Sequence, residues 1–111
     1  MEYPLLNTDE ALARFGGNAM ILKTLLKKFP GMANPLMEQL TTQVTSADYE
    51  SAEHTVHTIK GTAGNLSLTA LFHIASDFDA ELKRGECKED TYSKFVSIFD
   101  ETLSHVNDYI K

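Results

Sequence analysis

The chain has little cysteine, no long apolar run and no leader-like start, and each absence excludes a class of protein. Cys87 is the only cysteine, so no disulfide can form within the chain. The apolar runs are far shorter than the roughly 20 residues that cross a bilayer. The first residues, MEYPLLNTDEALARF, lack the charged start and apolar core of a signal peptide. We therefore expect a soluble cytoplasmic domain, although a larger parent protein could be membrane-anchored.

Positive charge is also scarce. Ten lysines and arginines face sixteen acidic residues, which gives a formal net charge of -6. Nucleic-acid binding depends on a basic face that attracts phosphates, so DNA or RNA binding is not expected. A length of 111 residues with 42% apolar residues is enough for one hydrophobic core. We predict a single domain over residues 1–111.

Strand-like alternation is nearly absent, and apolar residues recur at intervals of three and four, which indicates an all-α chain. A short helix over residues 8–14 is predicted to end at the glycine pair 16–17, because glycine readily adopts the left-handed conformation. Asn18 is then predicted to cap the next helix. Pro30 and Pro35 each lack a backbone donor, so we expect that helix to break or kink between them into two stacked segments.

Three more helices are predicted, one capped by Asp48, one ending at Gly85 and one starting near Asp90. Short connections favour antiparallel neighbours, so we expect an antiparallel up-and-down four-helix bundle with a short extra N-terminal helix. The positions expected to face the core are Leu22, Leu26, Phe29, Leu36, Leu40, Val44, Ala52, Val56, Ile59, Ala63, Leu66, Leu71, Ala75, Phe78, Leu82, Tyr92, Phe95, Phe99, Leu103, Val106 and Ile110.

The helix that contains His57 carries two glycines on its outward face. At about 100° per residue, His57 lies about 140° from the buried stripe, Gly61 about 180° and Gly64 about 120°. A glycine within a helix costs on the order of 1 kcal/mol relative to alanine, and neither glycine is needed for packing in this arrangement. We interpret them as a bare surface for a docking partner. Leu68 would add an exposed apolar contact if the helix extended that far.

The chemistry of this face suits transfer of an anionic group. An imidazole has an unperturbed pKa of roughly 6.5, so His57 is mostly neutral and nucleophilic at neutral pH. Lys60, one turn further on, places a positive charge near any phosphate attached to the ring. Glu53, one turn earlier, can accept a hydrogen bond from one ring nitrogen and leave the other free. His54 is a candidate docking residue, and Asn65 is a capping residue with a second possible role near the site.

Over nearly its whole length the chain resembles the histidine-containing phosphotransfer (HPt) domains of bacterial multistep phosphorelays. The family pattern of His, Lys at +3, Gly at +4, Asn or Ser at +8 and Leu at +14 is matched by His57, Lys60, Gly61, Asn65 and Leu71. The segments ARFGGNAMILKTLLKKF, SADYESAEHTVH and LFHIASDFDAELKRG are also similar to the family. Ser67 and Val56 depart from it, where glycine and alanine are common, which questions local packing rather than the chemistry.

The resemblance implies that His57 exchanges a phosphoryl group with the aspartate of a response-regulator receiver domain, such as that of a hybrid sensor histidine kinase. The receiver would supply the Mg²⁺ and most catalytic groups, so this chain would need no cofactor and would not be an enzyme by itself. The absence of a GxxxxGK[ST] phosphate-binding loop agrees with this implication. A monomer is expected, because the outer face of the His57 helix would be used by a transient partner.

Two other functions stay open at this stage. The first is a metal-binding bundle that uses His54, His57 and Glu50 or Glu53. Metal sites in bundles point inward and draw ligands from more than one helix, whereas these residues share one outward face. The second is a docking module that has kept the fold and lost the chemistry. The sequence does not identify the receiver, the signal, the direction of transfer or any parent hybrid kinase.

Overall fold

A computed structural model describes residues 2–111, which form five α-helices and no strand. The all-α prediction is confirmed. None of these helices is both long enough and apolar enough to span a membrane. The helices are α1 (Thr8–Arg14), α2 (Ala19–Thr45), α3 (Tyr49–Asn65), α4 (Thr69–Lys83) and α5 (Glu89–Ile110).

The predicted helix ends are confirmed by capping contacts. The Asn18 side chain accepts hydrogen bonds from two backbone N–H groups in the first turn of α2. Asp48 accepts one in the first turn of α3. Gly16, Gly17 and Gly85 all have positive φ, the conformation in which glycine ends a helix without steric cost. Local sequence signals therefore fix where α2 and α3 begin and where α1 and α4 end.

Helix α2 runs unbroken through both prolines, so the predicted break into two stacked segments is wrong. Each proline removes one backbone hydrogen bond from the helix. The buried apolar positions nevertheless keep a helical spacing through the two prolines. Ala33, which lies between the prolines in sequence, is buried like Phe29 before it and Leu40 after it. Burial of this continuous stripe offsets the cost of the prolines and holds α2 together as one helix.

The four long helices close into a bundle. Helices α2 and α4 each pack against both α3 and α5, while α1 packs against α2. The connections are three residues long before α3 and α4 and five residues long before α5, as antiparallel neighbours require. The four-helix bundle with a short extra helix is confirmed. Its largest fully buried side chains are Phe29, Phe78, Phe95, Phe99, Leu22, Leu26, Leu40, Ile59, Leu68, Leu71, Val56 and Val106.

The turn between α3 and α4 is held by the N-terminal segment. Ser67 has a φ of 57°, in the left-handed region that favours glycine, which explains why glycine is common here in the family that the chain resembles. Its hydroxyl donates to Glu10 at 2.8 Å, and its carbonyl accepts from the Asn7 N–H at 2.9 Å. The Ala70 N–H donates to the Pro4 carbonyl at 3.0 Å. These bonds fix the start of α4 relative to α3.

Candidate functional site

Helix α3 presents His57 to solvent, as the sequence predicts. Its neighbours Val56 and Ile59 are fully buried, which fixes the rotation of the helix about its axis. The His57 side chain is 64% exposed. A partner can therefore reach the ring without displacing any part of the bundle.

A buried carboxylate from α4 lies beside the His57 ring. Asp79 Oδ2 is 3.6 Å from His57 Nδ1, 3.8 Å from Lys60 Nζ and 3.5 Å from Lys83 Nζ. The Asp79 side chain is only 3% exposed, and its Oδ1 has no hydrogen-bond partner among the residues described. The pattern of α3 does not predict Asp79, because this residue reaches the site from α4.

A signal for Asp79 is nevertheless present in the sequence. The residue follows Ala75 by four positions and precedes Leu82 by three, so it belongs to the buried stripe of α4. A carboxylate on a buried stripe must find charged or hydrogen-bonding partners. Its appearance between core residues therefore indicates a neighbouring helix that carries basic or donor groups.

The carboxylate nearest the His57 ring is Asp79, although the sequence favoured Glu53 for that role. The distance from His57 Nδ1 to Asp79 is beyond a hydrogen bond but within the range of an ion pair. Glu53 lies in the same cluster: one ligating atom from each of Glu53, His57 and Asp79 falls within 4.8 Å of the others. Glu53 therefore contacts the site from its edge, and Asp79 occupies its buried side.

The two carboxyl groups have different protonation preferences. The neighbouring carboxylate of Asp79, and to a smaller extent burial, raises the pKa of Glu53. Burial acts to raise the pKa of Asp79 as well, but its interactions with Glu53 and with the Lys83 charge outweigh burial and lower that pKa. Asp79 is thus the carboxyl group that stays ionised next to the imidazole.

Lys60 contacts the same buried carboxylate as His57. Its side chain is 30% exposed, and its Nζ lies 6.0 Å from the centroid of the Phe72 ring in addition to its contact with Asp79. The aromatic ring and the carboxylate hold the ammonium near the α3 surface rather than leaving it free in solvent. Lys60 and the imidazole are therefore linked through Asp79, and the role of Lys60 towards a phosphoryl group stays a prediction.

The two glycines of α3 have different surroundings. A Cβ added to Gly61 would meet nothing within 4 Å, as expected for a bare docking surface. A Cβ added to Gly64 would lie 3.2 Å from two atoms of the Phe72 ring. The prediction that Gly64 is not needed for packing is therefore wrong, because α4 places an aromatic ring against it.

Leu68 is fully buried, so the prediction that it forms an exposed apolar contact is wrong. Helix α3 ends at Asn65, and the left-handed Ser67 turns the chain inward before Leu68. The angle extrapolated along an ideal helix does not apply beyond that point. Asn65 is exposed in the last position of α3. His54 is also exposed, and no ion pair within residues 2–111 includes it.

The surroundings of the two glycines lead to a prediction about stability. Gly61→Ala is expected to raise the free energy of unfolding by about 1 kcal/mol, because alanine favours the helix and its methyl group enters open space. Gly64→Ala is the matched control and should gain clearly less, because its methyl group is crowded by Phe72. Urea unfolding of both variants measures the difference. An equal gain at both positions would contradict the packing role of Gly64.

The sequence was compared with models of protein families, and the model for the Hpt domain matches residues 24–108. The chain belongs to the Hpt domain family. Hpt domains are phosphocarriers in phosphorelays, and they interact with the receiver domains of response regulators. No curated protein and no solved structure matched the chain. The matched range includes the cluster around His57, whereas α1 of this Hpt domain lies outside it.

Proposed function

We propose that His57 is the phosphoacceptor of this Hpt domain and that it exchanges a phosphoryl group with the aspartate of a receiver domain. The observation that carries the proposal is an exposed imidazole with an ionised carboxylate at one nitrogen and an open glycine one turn away. The carboxylate favours one tautomer of the ring, and the open surface admits a partner. His54, exposed on the same helix, has no such ion pair with a carboxylate of residues 2–111.

We propose a different role for each nitrogen of the ring. His57 Nδ1 lies 3.6 Å from Asp79, and we expect this carboxylate to favour the tautomer with the proton on Nδ1, which leaves the Nε2 lone pair free. Nε2 forms a bond to phosphorus while the bond from phosphorus to the receiver aspartate breaks, and the electron pair stays on the aspartate oxygen. The phosphorylated ring keeps its Nδ1 proton, and its positive charge is balanced by Asp79. Transfer in the other direction uses the same atoms.

The two lysines near Asp79 supply positive charge for the phosphoryl oxygens. Lys60 and Lys83 both interact with Asp79 Oδ2 and both remain partly exposed. Either ammonium can therefore turn towards a phosphoryl group on His57 without crossing the core. Lys60 lies on the same helix as the acceptor, which makes it the main electrostatic partner. Glu53 supports the ionised state of Asp79 from the edge of the cluster.

The remaining groups for the reaction come from the partner. We expect the receiver domain to hold the Mg²⁺ and to activate its own aspartyl phosphate, with Gly61 and the exposed His54 in contact with it. We expect the phosphorylated form to persist between partners. We expect the domain to act as a monomer in the cytoplasm and to show no ATP-dependent activity by itself.

The function is tested with a receiver domain that carries a radiolabelled phosphoryl group. Mixing it with this Hpt domain should move the label to the Hpt chain within the time course of the assay. The transferred label should survive base and be lost in acid, as phosphohistidine is. A label that stays on the receiver, or one that is stable in acid, would contradict the proposal.

A further inference from the structure

The cluster at His57 combines three side chains of the kinds that bind transition metals. Glu53 and His57 come from α3, and Asp79 comes from α4. One ligating atom of each lies within 4.8 Å of the others. The candidate ligands that the sequence suggests all share one helix, which argues against a metal site. The present set comes from two helices, so this objection does not apply to it.

We propose that Glu53, His57 and Asp79 bind a transition-metal dication of the Zn²⁺ class. Zn²⁺ is held by imidazole nitrogen at about 2.0–2.1 Å and by carboxylate oxygen at about 2.0–2.2 Å, which places tetrahedral ligands about 3.3–3.6 Å apart. His57 Nδ1 and Asp79 Oδ2 are 3.6 Å apart. Two of the three ligands are thus already at the required separation, and rotation of the half-buried Glu53 side chain brings in the third.

The burial of Asp79 is a second indication that the cluster binds an ion, independent of the number of coordinating side chains. The Asp79 side chain is 97% buried, and its Oδ1 makes no hydrogen bond with the residues described. An unpartnered carboxylate oxygen in that environment is costly, and an ion held at Oδ2, the oxygen that faces His57, satisfies Oδ1 as well when both oxygens of the carboxylate bind it. Lys60 and Lys83, which now neutralise Asp79, are long side chains that can move into solvent when a dication takes their place.

The ligand set also selects between metals. One imidazole and two carboxylates, with the fourth position open to water, suit Zn²⁺ and the neighbouring transition metals. Mg²⁺ prefers six oxygen ligands in an octahedron and retains several waters, so it should not bind here. A bound ion would take the place of the Nδ1 proton, and the neutral ring would then carry its proton on Nε2, which leaves Nε2 without the lone pair that attacks phosphorus. The metal-bound and the phosphoryl-accepting forms of His57 are then alternative states; this consequence rests on the proposed function, whereas metal binding does not.

The test is calorimetric titration of the chelator-treated chain with Zn²⁺, and with Mg²⁺ at the same concentration. We expect one Zn²⁺ per chain and no heat of binding from Mg²⁺. Asp79→Asn, His57→Ala and Glu53→Gln should each weaken Zn²⁺ binding by at least about tenfold, since even the loss of an outer partner of a ligand costs this much. Far-UV circular dichroism shows whether each variant is folded. Glu53→Gln is a mild substitution for the fold, because it changes a half-buried side chain at the edge of the core.

The matched controls change Glu50 and His54, the other two residues of α3 that the sequence offers as metal ligands. Glu50→Gln is the same substitution one turn earlier on α3, and His54→Ala removes the other histidine of that helix. Both variants should bind Zn²⁺ as tightly as the unmodified chain. The proposal is overturned if the unmodified chain binds no Zn²⁺, if Glu53→Gln binds it normally, or if Glu50→Gln or His54→Ala weakens binding as much as Asp79→Asn.

Discussion

His57→Ala is expected to abolish acceptance of a phosphoryl group from a receiver domain, leaving only the background of an assay without this chain. The substitution removes the nucleophile, and the exposed position of the ring means that the bundle loses no core packing. The measurement is transfer of radiolabel from the phosphorylated receiver, with circular dichroism to show that the variant is folded.

The control for this prediction is the other histidine of α3. His54→Ala should still accept the label, because His54 is exposed but has no ion pair with a buried carboxylate. The chain contains four histidines, so an acid-labile label that remains on His57→Ala would identify a different acceptor. Loss of acceptance in His54→Ala with retention in His57→Ala would reverse the assignment.

Gly61→Leu is expected to slow phosphoryl transfer by about 100-fold while leaving the helix content intact. A phosphoryl group must approach the ring to about 3–3.5 Å, and a displacement of about 1 Å costs on this order in rate. Gly61 faces open space, so the leucine does not disturb the bundle and instead projects where the partner has to dock. The rate is measured at several receiver concentrations, which separates weaker docking from slower chemistry.

A second glycine within a helix serves as the matched control. Gly31 lies in α2, and a Cβ there would also meet nothing within 4 Å. Gly31→Leu introduces the same side chain on another helix and should leave the transfer rate close to that of the unmodified chain. A normal rate in Gly61→Leu would show that the open surface at Gly61 is not needed for docking.

The contrast between Gly61 and Gly64 shows how far sequence reasoning reaches. Both glycines lie away from the buried stripe of α3, and helical geometry places them correctly. Whether an outward position is open depends on what the next helix brings there. Phe72 of α4 covers Gly64 and not Gly61, and no periodicity within α3 contains that information.

The positions of Asp79 and Leu68 depend on tertiary contacts, which helical periodicity does not contain. Asp79 becomes part of the site only when α4 packs on α3, and Leu68 is drawn inward by the turn at Ser67. The prolines of α2 show the opposite error. The tendency of proline to break helices predicts two segments there. The apolar spacing continues through Ala33 and correctly indicates one helix.

The most direct test of the central claim is to locate the phosphoryl group on the chain after transfer from a receiver. The labelled chain is kept at neutral to basic pH, digested and sequenced by mass spectrometry with a fragmentation method that preserves the bond between phosphorus and nitrogen. The phosphoryl group should lie on His57 in the peptide from α3, and on no other residue. A phosphoryl group on His54, on another histidine or on a carboxylate would contradict the assignment of His57 as the phosphoacceptor.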